Sequence, residues 1–150
     1  MIINVITSMP DILDAIEHGV IGHAIKKGHV TINIINMRTF SQRSDQRIDD
    51  RPCGGGPGMV IEAPVLQRAL NSIEPGHVIE LSPQGKPLTT PKVQQLAKYP
   101  EITLVCGRYE GIDHRAQTLI DEQISIGDYV LSGGEIPALV LLDALIRIQP

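Results

Sequence analysis

Three apolar stretches of this sequence are each followed at once by a glycine-containing turn, at residues 81–85, 106–111 and 125–134. Glycine allows backbone N–H and C=O groups to approach a ligand closely, because no Cβ stands in the way. A purine ring whose edge is recognised by backbone groups requires turns of this kind. One such turn can be explained as a simple chain reversal, but three in the same context favour a ligand pocket. We therefore predict a pocket lined largely by backbone groups.

A second candidate site lies between residues 38 and 58. Arg38, Arg43, Arg47 and Arg51 are interleaved with aspartates, and the glycine-rich stretch 54–58 follows. This segment is either a solvated loop or a patch that contacts phosphates, and four arginine–phosphate contacts would give a log–log salt slope of about −3 to −4. The glycine-rich stretch lacks the Lys-Ser/Thr pair of a P-loop, and no G-x-G-x-x-G follows the first strand. Ordinary P-loop and Rossmann proteins are therefore disfavoured.

Four acidic residues near the turns are candidates for a general base: Glu110, Asp113, Asp128 and Glu135. Two of them have simpler explanations, Asp113 as a helix cap and Asp128 as a carboxylate that braces its own loop. Cys53 and Cys106 are predicted to be free thiols, because neither has a cysteine or histidine at metal-binding spacing. No metal site is predicted from these residues.

Composition limits the class of protein. The 150 residues are the size of one domain, and 42% apolar and 20% charged residues are typical of a globular one. A net charge of −4 argues against nucleic-acid binding over a broad surface, so any polyanion must bind a local patch. No apolar run reaches the roughly 20 residues of a membrane span, and no signal-peptide pattern is present. We expect a cytoplasmic protein.

Short apolar runs alternate with helical periodicity along the chain. Strands are predicted at 2–6, 30–35, 78–81 and 102–106, with a fifth within 124–131. Helices are predicted at 12–28, 64–73, 90–99 with Thr90 as N-cap, and from 133 onward. This alternation predicts an α/β fold with a mostly parallel sheet and helices on both faces. Ligands of such sheets bind beyond the carboxyl ends of the strands, where the three glycine turns lie.

Four segments are similar to signature motifs of the bacterial tRNA (guanine-N1)-methyltransferases, which methylate position 37 beside the anticodon. Residues 49–59, DDRPCGGGPGM, resemble the DDRPYGGGPGM loop of that family. Residues 81–85 (LSPQG), 104–113 (LVCGRYEGID) and 125–135 (SIGDYVLSGGE) match its other motifs in the same order. A related knotted methyltransferase for another RNA position and a non-catalytic cofactor-binding dimerisation module are the alternatives. The first motif argues against the former.

The resemblance implies the SPOUT methyltransferase fold, an α/β domain with a deep trefoil knot towards its C-terminal part. It also implies a homodimer with a composite active site and S-adenosylmethionine as methyl donor. The cofactor-binding residues it implies are Leu81, Ser82, Pro83, Gly107, Tyr109, Glu110, Gly111, Ile126, Gly127, Asp128, Tyr129, Val130, Leu131, Gly133, Gly134 and Pro137. Those implied for the target guanine of tRNA and its neighbours are Arg51, Gly54, Gly55, Gly56, Pro57, Gly58 and Met59.

The sequence departs from the family pattern at two positions near these motifs. Cys53 stands where the family usually has Tyr, and Glu80 stands where an aromatic residue often precedes Leu-Ser-Pro. The second departure is expected to weaken a contact to the cofactor, whereas nothing in the sequence explains the first.

The resemblance also bears on catalysis. In the family the general base is an aspartate in a linker after the last helix seen here, and a tRNA-gripping C-terminal domain follows it. We therefore predict that the general base lies beyond Pro150, the last residue of this sequence. The 150-residue chain is expected to bind S-adenosylmethionine but to methylate tRNA weakly or not at all. A role for Mg2+ during catalysis is implied by the family, although no ligand cluster indicates it.

Overall fold

A five-stranded parallel sheet forms the centre of the structure, a computed structural model that describes residues 1–149. Its strands are β1 (Ile2–Thr7), β2 (Thr31–Asn36), β5 (His77–Pro87), β6 (Glu101–Cys106) and β7 (Glu122–Ser125), in the spatial order β2-β1-β6-β5-β7. Two short strands, β3 (Asp49–Asp50) and β4 (Val60–Ile61), form a separate antiparallel pair. The predicted parallel sheet is confirmed.

Helices cover both faces of this sheet. On one face lie α1 (Gly19–Lys26), α3 (Thr90–Leu96), α4 (Glu135–Ile146) and the 3-10 helix Pro10–Glu17. On the other lie α2 (Ala63–Asn71) and the 3-10 helices Met37–Phe40 and His114–Leu119. Side chains alternate along each strand, so that Ile3 and Val5 face the first layer and Ile6 the second. The predicted coverage of both faces is therefore confirmed.

The single helix predicted over 12–28 is in fact two helices. The first is the 3-10 helix, and α1 begins at Gly19, whose φ is +61°. Gly22 packs against this junction, because a Cβ on it would lie 2.2 Å from the Glu17 carbonyl oxygen. The apolar residues on both sides of the break face the same core layer, so periodicity alone could not reveal the break.

α3 is shorter than predicted. Its N-cap is Thr89 rather than Thr90, with the Thr89 hydroxyl accepting a hydrogen bond from the Lys92 N–H at 3.4 Å. The helix ends at Leu96, and Tyr99 instead stacks on His77 with ring centroids 4.3 Å apart. Within residues 1–149, no helix combines the length and the apolar character that crossing a membrane requires.

β5 continues past the point at which the sequence predicts its end. Its register against β7 shifts between Leu81 and Lys86, so residues 82–85 leave the regular ladder and the strand then resumes. Gly85 lies close to β7, because a Cβ on it would lie 2.4 Å from the Ile124 nitrogen. The Ser-Pro-Gln-Gly segment is thus a local bulge that interrupts the strand without ending it.

The segment 37–60, which has neither helical nor strand periodicity in the sequence and contains the candidate patch 38–58, is partly packed. Met37 and Ile48 are fully buried in the second core layer. The Ile48 carbonyl also accepts a hydrogen bond from the Glu62 N–H at 2.8 Å. The missing periodicity is explained by short anchors that are far apart in sequence.

The helix predicted from residue 133 onward is α4, which begins at Glu135 and ends at Ile146. The two glycines that precede it belong to the third turn, with Gly134 as the N-cap. Pro150, beyond which the general base is predicted, lies outside the described residues. The location of the base therefore stays a prediction from the family resemblance.

Candidate functional site: a cavity at the carboxyl edge of the sheet

The carboxyl ends of β5, β6 and β7 surround a cavity of about 370 Å³. All three predicted glycine turns contribute to its wall, as expected at this edge of a parallel sheet. Asp128 lies outside it, in an adjoining depression with Pro83 and Gly85. The other residues predicted to bind the cofactor all line this cavity: Leu81, Ser82, Pro83, Gly107, Tyr109, Glu110, Gly111, Ile126, Gly127, Tyr129, Val130, Leu131, Gly133, Gly134 and Pro137.

The β6 exit and the start of α4 are joined by their backbones. The Gly134 N–H donates to the Gly107 carbonyl at 2.9 Å, and Arg108 and Gly133 form an isolated antiparallel bridge. A Cβ on Gly134 would lie 2.7 Å from the Cys106 Cα, so no larger residue fits without moving backbone. Glycine is required here for close approach of two chain segments, which brings the second and third turns into one wall.

A buried ion pair fixes the same junction from the side chains. Glu135 is 1% exposed, and it accepts hydrogen bonds from Thr7 Oγ1 at 2.7 Å and from Arg108 Nη2 at 3.1 Å. Thr7 ends β1, Arg108 follows β6, and Glu135 begins α4. One carboxylate therefore ties three elements together at the cavity. Because its oxygens are engaged, Glu135 is a structural residue rather than a free proton acceptor.

Tyr109 has an unusual backbone conformation at the cavity wall. Its φ is +60°, which costs a non-glycine residue about 1–2 kcal/mol. The turn is held by the Gly111 N–H, which donates to the Arg108 carbonyl at 3.1 Å. The strained turn leaves the tyrosine ring half-exposed at the mouth of the cavity.

The glycine-rich segment 54–59 lies directly beside this turn. The Glu110 N–H donates to the Met59 carbonyl at 2.9 Å, and the Ile61 N–H donates to the Gly111 carbonyl at 3.0 Å. A Cβ on Gly58 would lie 2.4 Å from Glu110 Cγ. The structure thus brings the segment predicted to contact RNA to the rim of the predicted cofactor pocket, although it does not line the cavity itself.

The four arginines of 38–51 are not equally available to phosphates. Arg43 pairs with Glu62 at 2.8 Å, and Arg47 pairs with Asp49 at 3.1 Å. Arg51 is exposed, and within residues 1–149 its side chain has no hydrogen-bond or ion-pair partner. Internal carboxylates therefore neutralise part of the positive charge on which the phosphate-patch interpretation relied, and Arg51 is its best remaining member.

Two further candidate bases, Asp113 and Asp128, have different surroundings. Asp113 caps the 3-10 helix, as expected, and its hydrogen bond from the Arg115 side chain holds the pKa of the carboxyl below its ordinary value. Asp128 is exposed and accepts no hydrogen bond within the described residues, so the bracing role predicted for it is wrong. Ser125 braces that loop instead, its Oγ donating to the Gly127 carbonyl at 2.8 Å.

Sequence reasoning did not select several polar side chains that line the cavity: Glu80, Arg108, His114, Gln117 and Gln123. Glu80 was noted only as a departure from the family pattern. The two glutamines donate to its carboxylate, at 3.3 Å from Gln117 and 2.6 Å from Gln123. A 3-10 helix superimposes residues three apart, so the spacing of His114 and Gln117 could have placed both on one side.

Both cysteines are unpaired, with Cys53 exposed and Cys106 buried. Burial, and secondarily the negative charge of Glu135, raises the pKa of the Cys106 thiol well above its ordinary value. Cys106 is therefore an unreactive core residue. Among residues 1–149 no three histidine, cysteine, aspartate or glutamate side chains are grouped as a metal site would require.

Fold and site define an α/β domain with a cavity at the carboxyl edge of a parallel sheet, walled by three glycine-containing segments. A family model described as tRNA (Guanine-1)-methyltransferase TrmD matches residues 1–150. The chain therefore belongs to the tRNA (guanine-1)-methyltransferase family.

Relatives and a solved structure support this membership. The chain is 49% identical over 157 residues to a tRNA (guanine-N(1)-)-methyltransferase of Neisseria meningitidis, and 49% identical over 158 residues to one of Buchnera aphidicola. Each alignment covers 100% of this chain and 63% of the relative, so the chain spans less than two thirds of their length. The crystal structure of tRNA (m1G37) methyltransferase from Aquifex aeolicus superposes with a TM-score of 0.88 at 37% identity, covering 100% of this chain and 70% of that one. The α/β fold of the SPOUT type is thereby confirmed.

Proposed function

We propose that this chain binds S-adenosylmethionine in the cavity at the carboxyl edge of the sheet. We further propose that it serves an enzyme that methylates N1 of guanine 37 in tRNA. Family membership supports the reaction class, and the Aquifex structure is named for that position of tRNA. The observation that carries the proposal is the close approach of the β6 exit to Gly134, which joins two glycine turns into one wall of the cavity.

The residues present fit this cofactor. A cavity of about 370 Å³ is within the range of roughly 300–1,000 Å³ usual for small-molecule sites. Residues 126, 127 and 129–131 line the cavity, where their backbone groups would suit the edge of an adenine ring. Glu110 lies exposed at the mouth, where a carboxylate suits the ammonium of an amino-acid end. When bound, the cofactor supplies a methyl group on a positively charged sulfur.

The reaction requires a proton acceptor, since guanine N1 carries a proton at neutral pH. Forming the N1–methyl bond would break the methyl–sulfur bond and leave its electron pair on sulfur, and a base would have to take the N1 proton. Asp113 and Glu135 are engaged in ion pairs and do not serve. We propose that the base, and the domain that grips tRNA, lie beyond Pro150, as the family resemblance implies. The cavity residues then contribute binding and orientation.

Mg2+ has no comparable support in this chain. Within residues 1–149 no three potential protein ligands are grouped, and octahedral sites for this ion are built from oxygen donors. Glu110 is a carboxylate at the cavity mouth, but a single side chain does not make a metal site. No step of the proposed reaction depends on the ion.

A homodimer with a composite active site is the assembly we propose. Exposed apolar side chains lie at the cavity and on α4, among them Val130 at 84%, Leu131 at 42%, Ile136 at 53% and Val140 at 44%. α4 is apolar around most of its circumference, and such helices are normally buried on all sides. A second copy covering this surface would bring tRNA contacts from Arg51 and the 54–59 loop to a site shared by two chains. Because its substrate is tRNA, we place the protein in the cytoplasm.

The proposal is tested by two assays. Calorimetric titration of the chain with S-adenosylmethionine should show binding with a dissociation constant in the micromolar range, as is common for cofactors of such enzymes. Full-length protein supplied with tRNA should place a methyl group on N1 of guanine 37, detected by mass spectrometry of the nucleosides. Absence of cofactor binding to the folded chain would overturn the cofactor assignment, and methylation at another position would overturn the tRNA assignment alone.

A further inference from the structure

Glu80 places a buried carboxylate in the wall of the cavity. It lies in β5 beside Val105 of β6, and only 4% of its surface is exposed. Both glutamine donors, Gln117 and Gln123, contact the same carboxylate oxygen, Oε2. The other oxygen, Oε1, accepts no hydrogen bond within the described residues, and it lies 3.9 Å from the position of a Cβ on Gly107. One oxygen is therefore held and the other faces the cavity.

This carboxylate lacks a counter-ion. Among residues 1–149, Glu80 forms no ion pair with any lysine, arginine or histidine, and its two donors are neutral amides. A buried carboxylate with no positive partner is energetically costly, whereas the same group next to a bound cation is stabilised. Glu135, the other buried glutamate of the site, is neutralised by Arg108. A positively charged group of a ligand, bound next to Glu80, would therefore stabilise this buried carboxylate.

Resting on the proposed function, we infer that Glu80 is the anionic partner of the sulfonium and makes the site prefer S-adenosylmethionine to its product S-adenosylhomocysteine. The two ligands share the adenosine and the amino-acid end, and they differ in the charge on sulfur. Glu110 lies at the exposed mouth, where the hydrated amino-acid end belongs. In a bound ligand the sulfur would lie between that end and the adenosine, and so deeper in the cavity than Glu110, on the side of the buried Glu80. Glu80 is thus a specificity-determining residue that disfavours retention of the product.

The test compares the dissociation constants of the two ligands by calorimetry on wild-type and Glu80→Gln protein. The amide of glutamine keeps the shape and an acceptor oxygen but removes the charge. Charged contacts are stronger than neutral ones by an amount that corresponds to about tenfold in affinity. We expect wild-type protein to bind S-adenosylmethionine more tightly than S-adenosylhomocysteine. The substitution should reduce that preference about tenfold, mainly by weakening S-adenosylmethionine.

Glu110→Gln is the matched control, because it removes a carboxylate from the same cavity at the level of the ammonium that both ligands carry. It should weaken the two ligands alike and leave their ratio unchanged. Equal weakening of both ligands by Glu80→Gln would mean that Glu80 serves a shared group such as a ribose hydroxyl, and would overturn the inference. If that variant does not fold, the wild-type ratio decides alone, and equal affinities or tighter product binding would overturn it. Failure of both ligands to bind wild-type protein would instead reject the proposed function.

Discussion

The glycine-rich loop 54–56 and the glycine pair 133–134 are equally conspicuous in the sequence, but they have different roles in the structure. Glycines 54–56 all have positive φ, and a Cβ added to any of them would meet nothing within 4 Å. Gly134 has an ordinary φ of −82°, but its Cβ would collide with the backbone of Cys106. The first region needs glycine for backbone conformation in open space, and the second needs it for packing. A preformed pocket thus lies beside a loop with room to adapt to a second partner.

Substituting alanine for Gly134 and for Gly55 should have the most different effects on cofactor binding. Gly134→Ala requires backbone movement between the β6 exit and α4, so we expect at least a hundredfold loss of S-adenosylmethionine affinity, equivalent to about 2.7 kcal/mol. Gly55→Ala meets no neighbour and pays only a local backbone cost of about 1 kcal/mol in folding. It should leave cofactor affinity within about twofold. Calorimetry measures both, with circular dichroism as the control for folding. Comparable losses in the two variants would contradict the comparison.

The buried ion pair between Arg108 and Glu135 should stabilise the part of the fold that forms the pocket. Glu135→Gln leaves Arg108 without its carboxylate, and we expect the free energy of unfolding to fall by about 2–3 kcal/mol. The control is Glu62→Gln, which weakens a more exposed pair with Arg43 and should cost below about 1 kcal/mol. Urea denaturation measures both values. Equal costs would show that the junction of β1, β6 and α4 does not depend on this carboxylate.

Asp113, the N-cap of the 3-10 helix His114–Leu119, should have a smaller effect on the free energy of unfolding, and this effect should depend on pH. Asp113→Ala removes the cap of the 3-10 helix and the partner of Arg115, at a cost of about 1 kcal/mol at neutral pH. Because the hydrogen bond from Arg115 holds the pKa of Asp113 below its ordinary value, this stabilisation is present above that value. It is lost as the pH falls through the lowered, folded-state pKa. Urea denaturation of both proteins at neutral pH and near pH 2 should therefore show a difference that shrinks in acid. A difference that grows in acid would contradict this role.

Arg51, next to the glycine-rich loop, should show the smallest effect of a single substitution, and that effect should be on tRNA binding only. Arg51→Ala in the full-length protein should weaken tRNA binding a few-fold and reduce the magnitude of the salt slope by about one. Arg43→Ala is the control, since that arginine is already paired with Glu62 and contributes less to a phosphate. Filter binding over a salt series measures the slope. An unchanged slope for Arg51→Ala would remove this residue from the proposed RNA contact.

The sequence predicted the parts of the fold that follow from repeating patterns. The first four sheet strands, the doubly covered sheet and the gathering of the three turns at one edge follow from alternation and from the rule for ligand sites in parallel sheets. The fifth strand, predicted within 124–131, lies earlier, at Glu122–Ser125, and residues 126–131 belong to the turn that follows it. The break at Gly19 and the continuation of β5 beyond the bulge could not be predicted, because both depend on tertiary contacts rather than on local periodicity. The trefoil knot stays a prediction from the family resemblance, as does a general base beyond Pro150.

The candidate site was predicted least well where side chains lie on the second face of the sheet. Backbone-lined positions are marked by glycine, so Gly107, Gly133 and Gly134 were identified from their residue type. Glu80 has no such mark, since a glutamate in a strand carries no signal of burial or of which partners hold it. The neutralisation of Arg43 and Arg47 likewise needed the positions of carboxylates that β3 and α2 bring near.

The most direct test of the central claim, that the preformed pocket and not the glycine loop holds the cofactor, is a backbone-amide NMR titration with S-adenosylmethionine. We predict large chemical-shift changes in 107–111 and 126–134, small ones in 54–56, and none around the stacked pair His77 and Tyr99 at the far edge of the sheet. Strong shifts in 54–56 with little change in 107–134 would contradict the account.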